Sequence, residues 1–413
     1  MSISSAPDDQ PTVSESPLAF ATANKLVNRL CAVVFLEWLG AGALLPLLPI
    51  YLRDRGASTT LVGATMASFF LAGLLCQFPA GKLSDKFGRK PVLVGGLLAY
   101  ALASLAYLLP MSTYSFLVLR FIQGGAAGSV EVASLALLSS AIPIARRGSA
   151  SSKIYSAQFS GIAIGPLLGT IAGIAHMGLL FIITAVLCGV AAIPVLTSST
   201  IDAHDARDQP TGKLEKIKAT PALVGAILAA VALGTVFGAY ESCWSLLLHS
   251  RGATIVEIGL SWTFFSVPYV VFVRAGGWAA DKYDRRYLAL GGLTFAMVFC
   301  ALWPYINSLY FLVAGGFIEA IGSSMALPSI QGLLTQQRKT EELGRVQGLY
   351  STGQTAAIAL SASFAGALFG MNRAFPFVIT AAIGSVLLLF VALKWRSVIG
   401  KASDLPGQAA AVD

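Results

Sequence analysis

From about residue 26 to residue 395 the chain repeats one pattern, a long apolar run followed by a short polar break. Each run approaches the roughly 20 apolar residues that a helix needs to cross a hydrocarbon core about 30 Å thick. The pattern predicts twelve membrane-spanning helices, at 26–50, 60–81, 91–110, 114–139, 154–175, 178–197, 221–247, 256–278, 288–305, 308–331, 346–369 and 374–395. The only long polar interval between runs, 198–220, divides six spans from six. The expected fold is therefore an all-α polytopic membrane protein with two six-helix bundles, 26–197 and 221–396. A linker at 198–220 joins them, and residues 1–25 and 397–413 form tails. The first tail is polar, acidic and rich in Ser and Pro, so disorder is expected there. It lacks the basic n-region and short apolar core of a cleavable signal peptide.

Composition strengthens this picture. Hydrophobic residues make up 56% of the chain and charged residues 12%, against about a quarter charged in soluble domains. Such a surface suits lipid and not water. The net charge of +8 then concerns topology before nucleic acid. With both termini in the cytoplasm, Lys82, Lys86, Arg89, Lys90, Arg146, Arg147, Lys213, Lys282, Arg285, Arg286 and Arg338 fall inside. Only Arg53, Arg55, Arg251 and Arg373 fall outside, as the positive-inside rule requires. The five cysteines lie within apolar runs without a CxxC pair and read as small hydrophobes. Three scattered histidines make no metal site, and no phosphate-binding loop or catalytic triad occurs. No cofactor and no enzymatic chemistry are expected.

The two halves are copies. A constant shift of 196 residues lays "RGASTTLVG" at Arg55 on "RGATIVEIG" at Arg251. The same shift lays Gly81, Asp85, Lys86 and Arg89 on Gly277, Asp281, Lys282 and Arg285, and Gln123 and Gln158 on Glu319 and Gln354. Halves of this kind, related by an axis along the membrane normal, enclose a substrate site at their interface near mid-bilayer.

With Gly81, Asp85, Gly88, Arg89 and Lys90 between the second and third spans, the chain resembles a twelve-span member of the major facilitator superfamily. The resemblance implies that this loop is a conformational latch holding the cytoplasmic side closed. Its second copy, Asp281 and Arg285, is degenerate, with Asp284 in place of Gly88. The fifth span reads "GIAIGPLLGTIAG"; Gly161, Gly165, Pro166 and Gly169 resemble the antiporter signature of drug–proton exporters. In the fourth span Arg120, Gln123, Gly124 and Gly128 match a family pattern whose arginine takes part in proton coupling. From the residues alone, Gly81 and Gly88 are expected to allow close approach and a tight turn. The fifth-span glycines are expected to form a small-residue packing face bent at Pro166.

Four glutamates lie in apolar spans: Glu37, Glu131, Glu241 and Glu319. Taking a carboxyl out of water favours its protonated form, the property a proton carrier needs. Glu37 is the expected carrier, with Arg120 and Glu131 as supporting charges and Glu319 as a second candidate. Expected substrate contacts are Glu37, Trp38, Gln123, Gln158, Tyr240, Glu241, Trp244, Glu319 and Gln354. The resulting expectation is a proton-coupled exporter of amphipathic organic compounds from a bacterial cytoplasm, with small-molecule, proton and lipid partners and a monomeric state. An exporter or symporter of a sugar, lipid or siderophore is the alternative. A non-transporting receptor of transporter descent is the reading from a different class.

Overall fold

The computed structural model describes residues 17–142, 144–172, 176–198, 217–336, 338 and 340–401. Twelve helices among them are long and apolar enough to cross a membrane. In chain order these are Ala23–Asp54, Thr59–Phe87, Arg89–Ala106, Thr113–Ser140, Ala150–Ile171 and Met177–Leu196. The second six are Pro221–His249, Ile255–Lys282, Arg285–Tyr305, Leu309–Thr335, Glu342–Met371 and Phe375–Trp395. All twelve spans expected from the hydropathy pattern are present, and no strand occurs among the described residues. The first span breaks at 45–47, beside Pro46 and Pro49, and resumes as Leu48–Asp54.

One expectation for the ends is corrected. The helix containing the first span begins at Pro17, so residues 17–25 are helical and not part of a disordered tail. The C-terminal segment is pinned at its start, because the Val398 and Gly400 carbonyls accept hydrogen bonds from Arg286 Nη1 and the Arg285 amide. Most of the expected linker and the remaining tail residues lie outside the described residues.

The internal repeat extends to single hydrogen bonds. The turn after the first span has Gly56 at φ 84° and that after the seventh has Gly252 at φ 82°. Ala57 and Ala253 each donate back to a carbonyl five residues earlier, Leu52 and Leu248. Ser58 and Thr254 then cap the next helix with their side-chain oxygens. Gly96 packs on Ala126 and Val130, and Gly292 packs on Gly322 and Ala326 at the equivalent positions. In each half the first span packs on its fifth and sixth, the second on its fourth, and the third on its fourth and sixth.

The halves meet along the second and eleventh spans and along the fifth and eighth. Both seams lie at the end carrying the 55–58 and 251–254 turns. There Gly63 sits against the backbone of Ala362 and Gly366, and Gly259 sits against Thr170 and Pro166. One hydrophobic core joins the halves at that end, with Leu47, Leu48, Leu61 and Met66 packed with Leu247, Leu248, Ile258 and Phe369. At the opposite end, the core formed by Leu30, Leu93, Leu137 and Val195 belongs to the first half alone. The bundle is closed at one end.

Candidate transport site

The fifth-span glycines perform the close packing expected of them. Gly161, Gly165 and Gly169 face the first span, and a Cβ on Gly161 would come within 2.8–3.0 Å of Phe35 O, Leu39 N and Trp38 C. Gly165 and Gly169 are tighter still, against Gly42 and Ala43. Pro166 is buried inside this helix. It has no amide to donate to the preceding turn, and its own carbonyl accepts from Thr170 Oγ1 at 2.8 Å. This seam presses the first span and its Glu37 against the fifth span and its Gln158.

Three polar clusters result. Glu37, 1% exposed, lines a small recess with Trp38, Glu131, Ser134, Tyr155 and Gln158. Its Oε1 and the Ser134 Oγ are buried without a hydrogen-bond partner among the described residues. Glu37 and Glu131 lie within electrostatic reach of each other. Trp38 closes one side, edge-on to Phe69 at 6.3 Å.

The second cluster surrounds Arg120. Its guanidinium lies over the Phe69 ring, 4.3 Å from the centroid, and Nη1 donates to Gln123 Oε1 at 3.1 Å. That oxygen also accepts from Tyr107 Oη, while Gln123 Nε2 donates to Ser104 Oγ at 2.9 Å. The expectation that Gln123 contacts substrate is therefore corrected. Its amide is fully buried and holds Arg120, Tyr107 and Ser104. Arg120 does not line the recess that Glu37 and Glu131 share. Glu241 of the seventh span, in the other half, lies within its electrostatic reach. Arg120 Nε and Glu241 Oε2 are each buried without a hydrogen-bond partner.

The third cluster is a small aromatic recess in the second half, lined by Tyr240, Trp244, Trp262, Phe265, Trp303 and Glu319. Glu319 Oε1 accepts from Tyr240 Oη at 3.0 Å and Oε2 accepts from Trp303 Nε1 at 3.2 Å. Trp244 Nε1 donates to Ser261 Oγ and Trp262 Nε1 to Ser245 Oγ, a reciprocal pair that fixes both indoles. Gln354 lies in neither recess; its carbonyl packs on Gly234. Sequence reasoning passed over Trp303, Ser134, Ser104 and Tyr107. A lone Trp, Ser or Tyr in an apolar run has no spacing signal, and their roles come from partners far away in sequence.

At the end opposite the closed one, Asp85 is exposed and forms no ion pair with another described residue. Lys90 Nζ reaches the Ser198 carbonyl at 3.4 Å. Gly88 has φ 94°, as a tight turn needs, but a Cβ on Gly81 would meet only Val132 Cγ1 at 3.9 Å. The close approach expected at Gly81 is thus absent. In the second copy Arg285 Nη2 pairs with Asp281 at 3.2 Å and Arg286 with Asp284 at 2.7 Å, both within that half.

Twelve spans in two repeated bundles, closed at one end and carrying buried charge between the halves, define a class of multi-pass membrane transporter. The chain belongs to the Major Facilitator Superfamily: the model of that family matches residues 30–242 and again 222–411. The quinolone resistance protein NorA of Staphylococcus aureus is 22% identical over 392 residues, 91% of this chain and 98% of NorA. Multidrug resistance protein 1 of Bacillus subtilis is 24% identical over 378 residues, 89% of this chain and 96% of that protein. The crystal structure of the nucleoside transporter NupG has the same fold, with a TM-score of 0.71 over 90% of this chain and 99% of NupG at 14% identity.

Proposed function

We propose that this protein exports amphipathic organic compounds across a bacterial inner membrane in exchange for protons, by alternating access. The observation that carries this reading is Glu37, a buried carboxylate lining a recess with one oxygen unpartnered. A group left unsatisfied in that way is costly unless a proton or ligand comes to it. The two relatives named for drug resistance align along most of this chain, which supports organic compounds as cargo. The aromatic recess around Glu319 suits a delocalised organic cation, whose charge is attracted to indole and phenol faces.

Placing the basic loops in the cytoplasm puts both termini there and makes the closed end extracytoplasmic, so this conformer faces inward. Asp85 and Arg89 then form the latch of the alternative, outward-facing conformer, in keeping with an Asp85 that pairs with no described residue here. Residues 26–197 and 221–396 act as the two rocking units, in a monomer. Substrate leaves in the outward-facing state, and protonation of Glu37 permits the return. Arg120 and Glu241, in opposite halves and within electrostatic reach, sense which half-to-half arrangement is adopted.

The test is ethidium movement in proteoliposomes under an imposed pH gradient, in wild type and Glu37→Gln. Gradient-driven transport in wild type, reduced at least about tenfold in the variant, is expected. Unchanged transport by Glu37→Gln moves the proton site to Glu131 or Glu319, and absence of wild-type transport rejects drug export.

A further inference from the structure

The recess around Glu37 has a chemistry unlike that of the aromatic recess in the other half. It presents two carboxylates, Glu37 and Glu131, with the Ser134 hydroxyl and the Gln158 amide, and no basic side chain lines it. Two of its oxygens, Glu37 Oε1 and Ser134 Oγ, are buried without a hydrogen-bond partner among the described residues. The aromatic recess also holds a carboxylate, Glu319, but both of its oxygens already accept from Tyr240 and Trp303. The difference lies in unused acceptors. A positively charged ligand in the first recess gains from two carboxylates at once, and one that also brings N–H donors satisfies the orphaned oxygens. A quaternary ammonium brings charge without a donor.

We infer that the recess of Glu37, Glu131 and Ser134 is a substrate subsite selective for protonated primary or secondary amines over fixed, donor-free cations. In this conformer the recess takes a group of about the size of a water or an ammonium, with Trp38 beside it as a flat apolar wall. The subsite rests on the exporter reading for why a ligand enters, but its selectivity follows from the unpaired acceptors alone.

The test compares 2-phenylethylamine with its N,N,N-trimethyl counterpart, two ligands of equal charge and the same ring, by isothermal titration calorimetry on the full-length protein in detergent. Wild type is expected to bind the primary amine about tenfold or more tightly, the gain of a charge-assisted hydrogen bond. That preference should fall towards unity in Glu131→Gln or in Ser134→Ala. Equal affinity of the two ligands in wild type overturns the inference, and this arm needs no variant to fold. A preference retained undiminished in both variants also overturns it, since it would then reflect the bulk of three methyl groups. Binding of neither ligand overturns it likewise. Ethidium, a fixed cation, tests the exporter reading separately. Gradient-driven ethidium movement without amine preference rejects only the subsite, and amine preference without ethidium movement rejects only the proposed drug export.

Discussion

Asp284 stands where the first half has Gly88, and that single difference changes how the loop is built. Gly88 holds φ 94°, which an L side chain rarely adopts, so Gly88→Ala is expected to destabilise the loop by about 1 kcal/mol. Asp284 has φ −67° and serves as a helix N-cap, accepting from the Arg286 amide and guanidinium. The Arg286 contact holds the Asp284 carboxyl below the usual carboxylate range. A lowered folded value stabilises above the unfolded one, near pH 3.9, and the contribution disappears as pH falls through the folded value. Asp284→Asn should therefore lower the melting temperature in detergent at pH 7, with the difference from wild type narrowing as pH falls below about 3.9 and closing only below the lowered folded value. An unchanged gap across that range would remove the ion pair as its cause. Gln123 is the other residue whose value lies in its partners. Gln123→Ala strands Arg120, Tyr107 and Ser104 in the interior and should cost about 2 kcal/mol or more, read as a lower melting temperature.

At the scale of elements, glycine determines which helices pack backbone to backbone. Gly161, Gly165 and Gly169 place the fifth span on the first, with Gly42 answering from the other side. The second half builds the equivalent seam with its glycines on the seventh span, where Gly234 and Gly238 meet Gln354, Ala357 and Ile358. The antiporter-like glycine run is thus one of two ways this chain makes the same contact, and Pro166 is what the second copy lacks. Gly165→Val has no room, its Cβ falling on Gly42 and Ala43 backbone atoms. It should separate the first and fifth spans, distort the Glu37 recess and abolish transport, whereas Gly95→Val, with nothing within 4 Å, should be neutral. Comparable loss in both would show that glycine content, and not this seam, is limiting.

For the molecule as a whole, the interface between halves is lopsided. Gly63 with Gly366 and Gly259 with Thr170 occupy equivalent places in the repeat, so the two seams are copies of one contact. Separating the halves there breaks this small-residue packing and the hydrophobic core of Leu47, Leu48, Leu61 and Met66 with Leu247, Leu248, Ile258 and Phe369, all at one end. Spin labels at Arg55 and Arg251 report the closed end, and labels at Lys86 and Lys282, both exposed, report the open one. Gly63→Val is expected to lengthen the first distance and shorten the second, populating the opposite conformer. Unchanged distances in a folded variant would mean that this glycine seam does not govern the equilibrium.

Spans, repeat and buried acids were legible in the chain because each leaves a one-dimensional trace. Twenty apolar residues cross a bilayer, a shift of 196 residues aligns the halves, and a glutamate in an apolar run has few places to go. The loop glycine at position 88 and the fifth-span glycines were legible for the same reason, since absence of a side chain has local consequences. Which acids meet which bases was not. Glu37 shares a recess with Glu131, Arg120 lies within electrostatic reach of Glu241, and Glu319 is held by Tyr240 and Trp303, because helices distant in sequence turn those faces together. Helical spacing defines a residue's face on its own helix; only packing decides what stands opposite. Gly81 failed as a close-contact residue for that reason, and Gln123, expected at a substrate, became the buried support of an arginine.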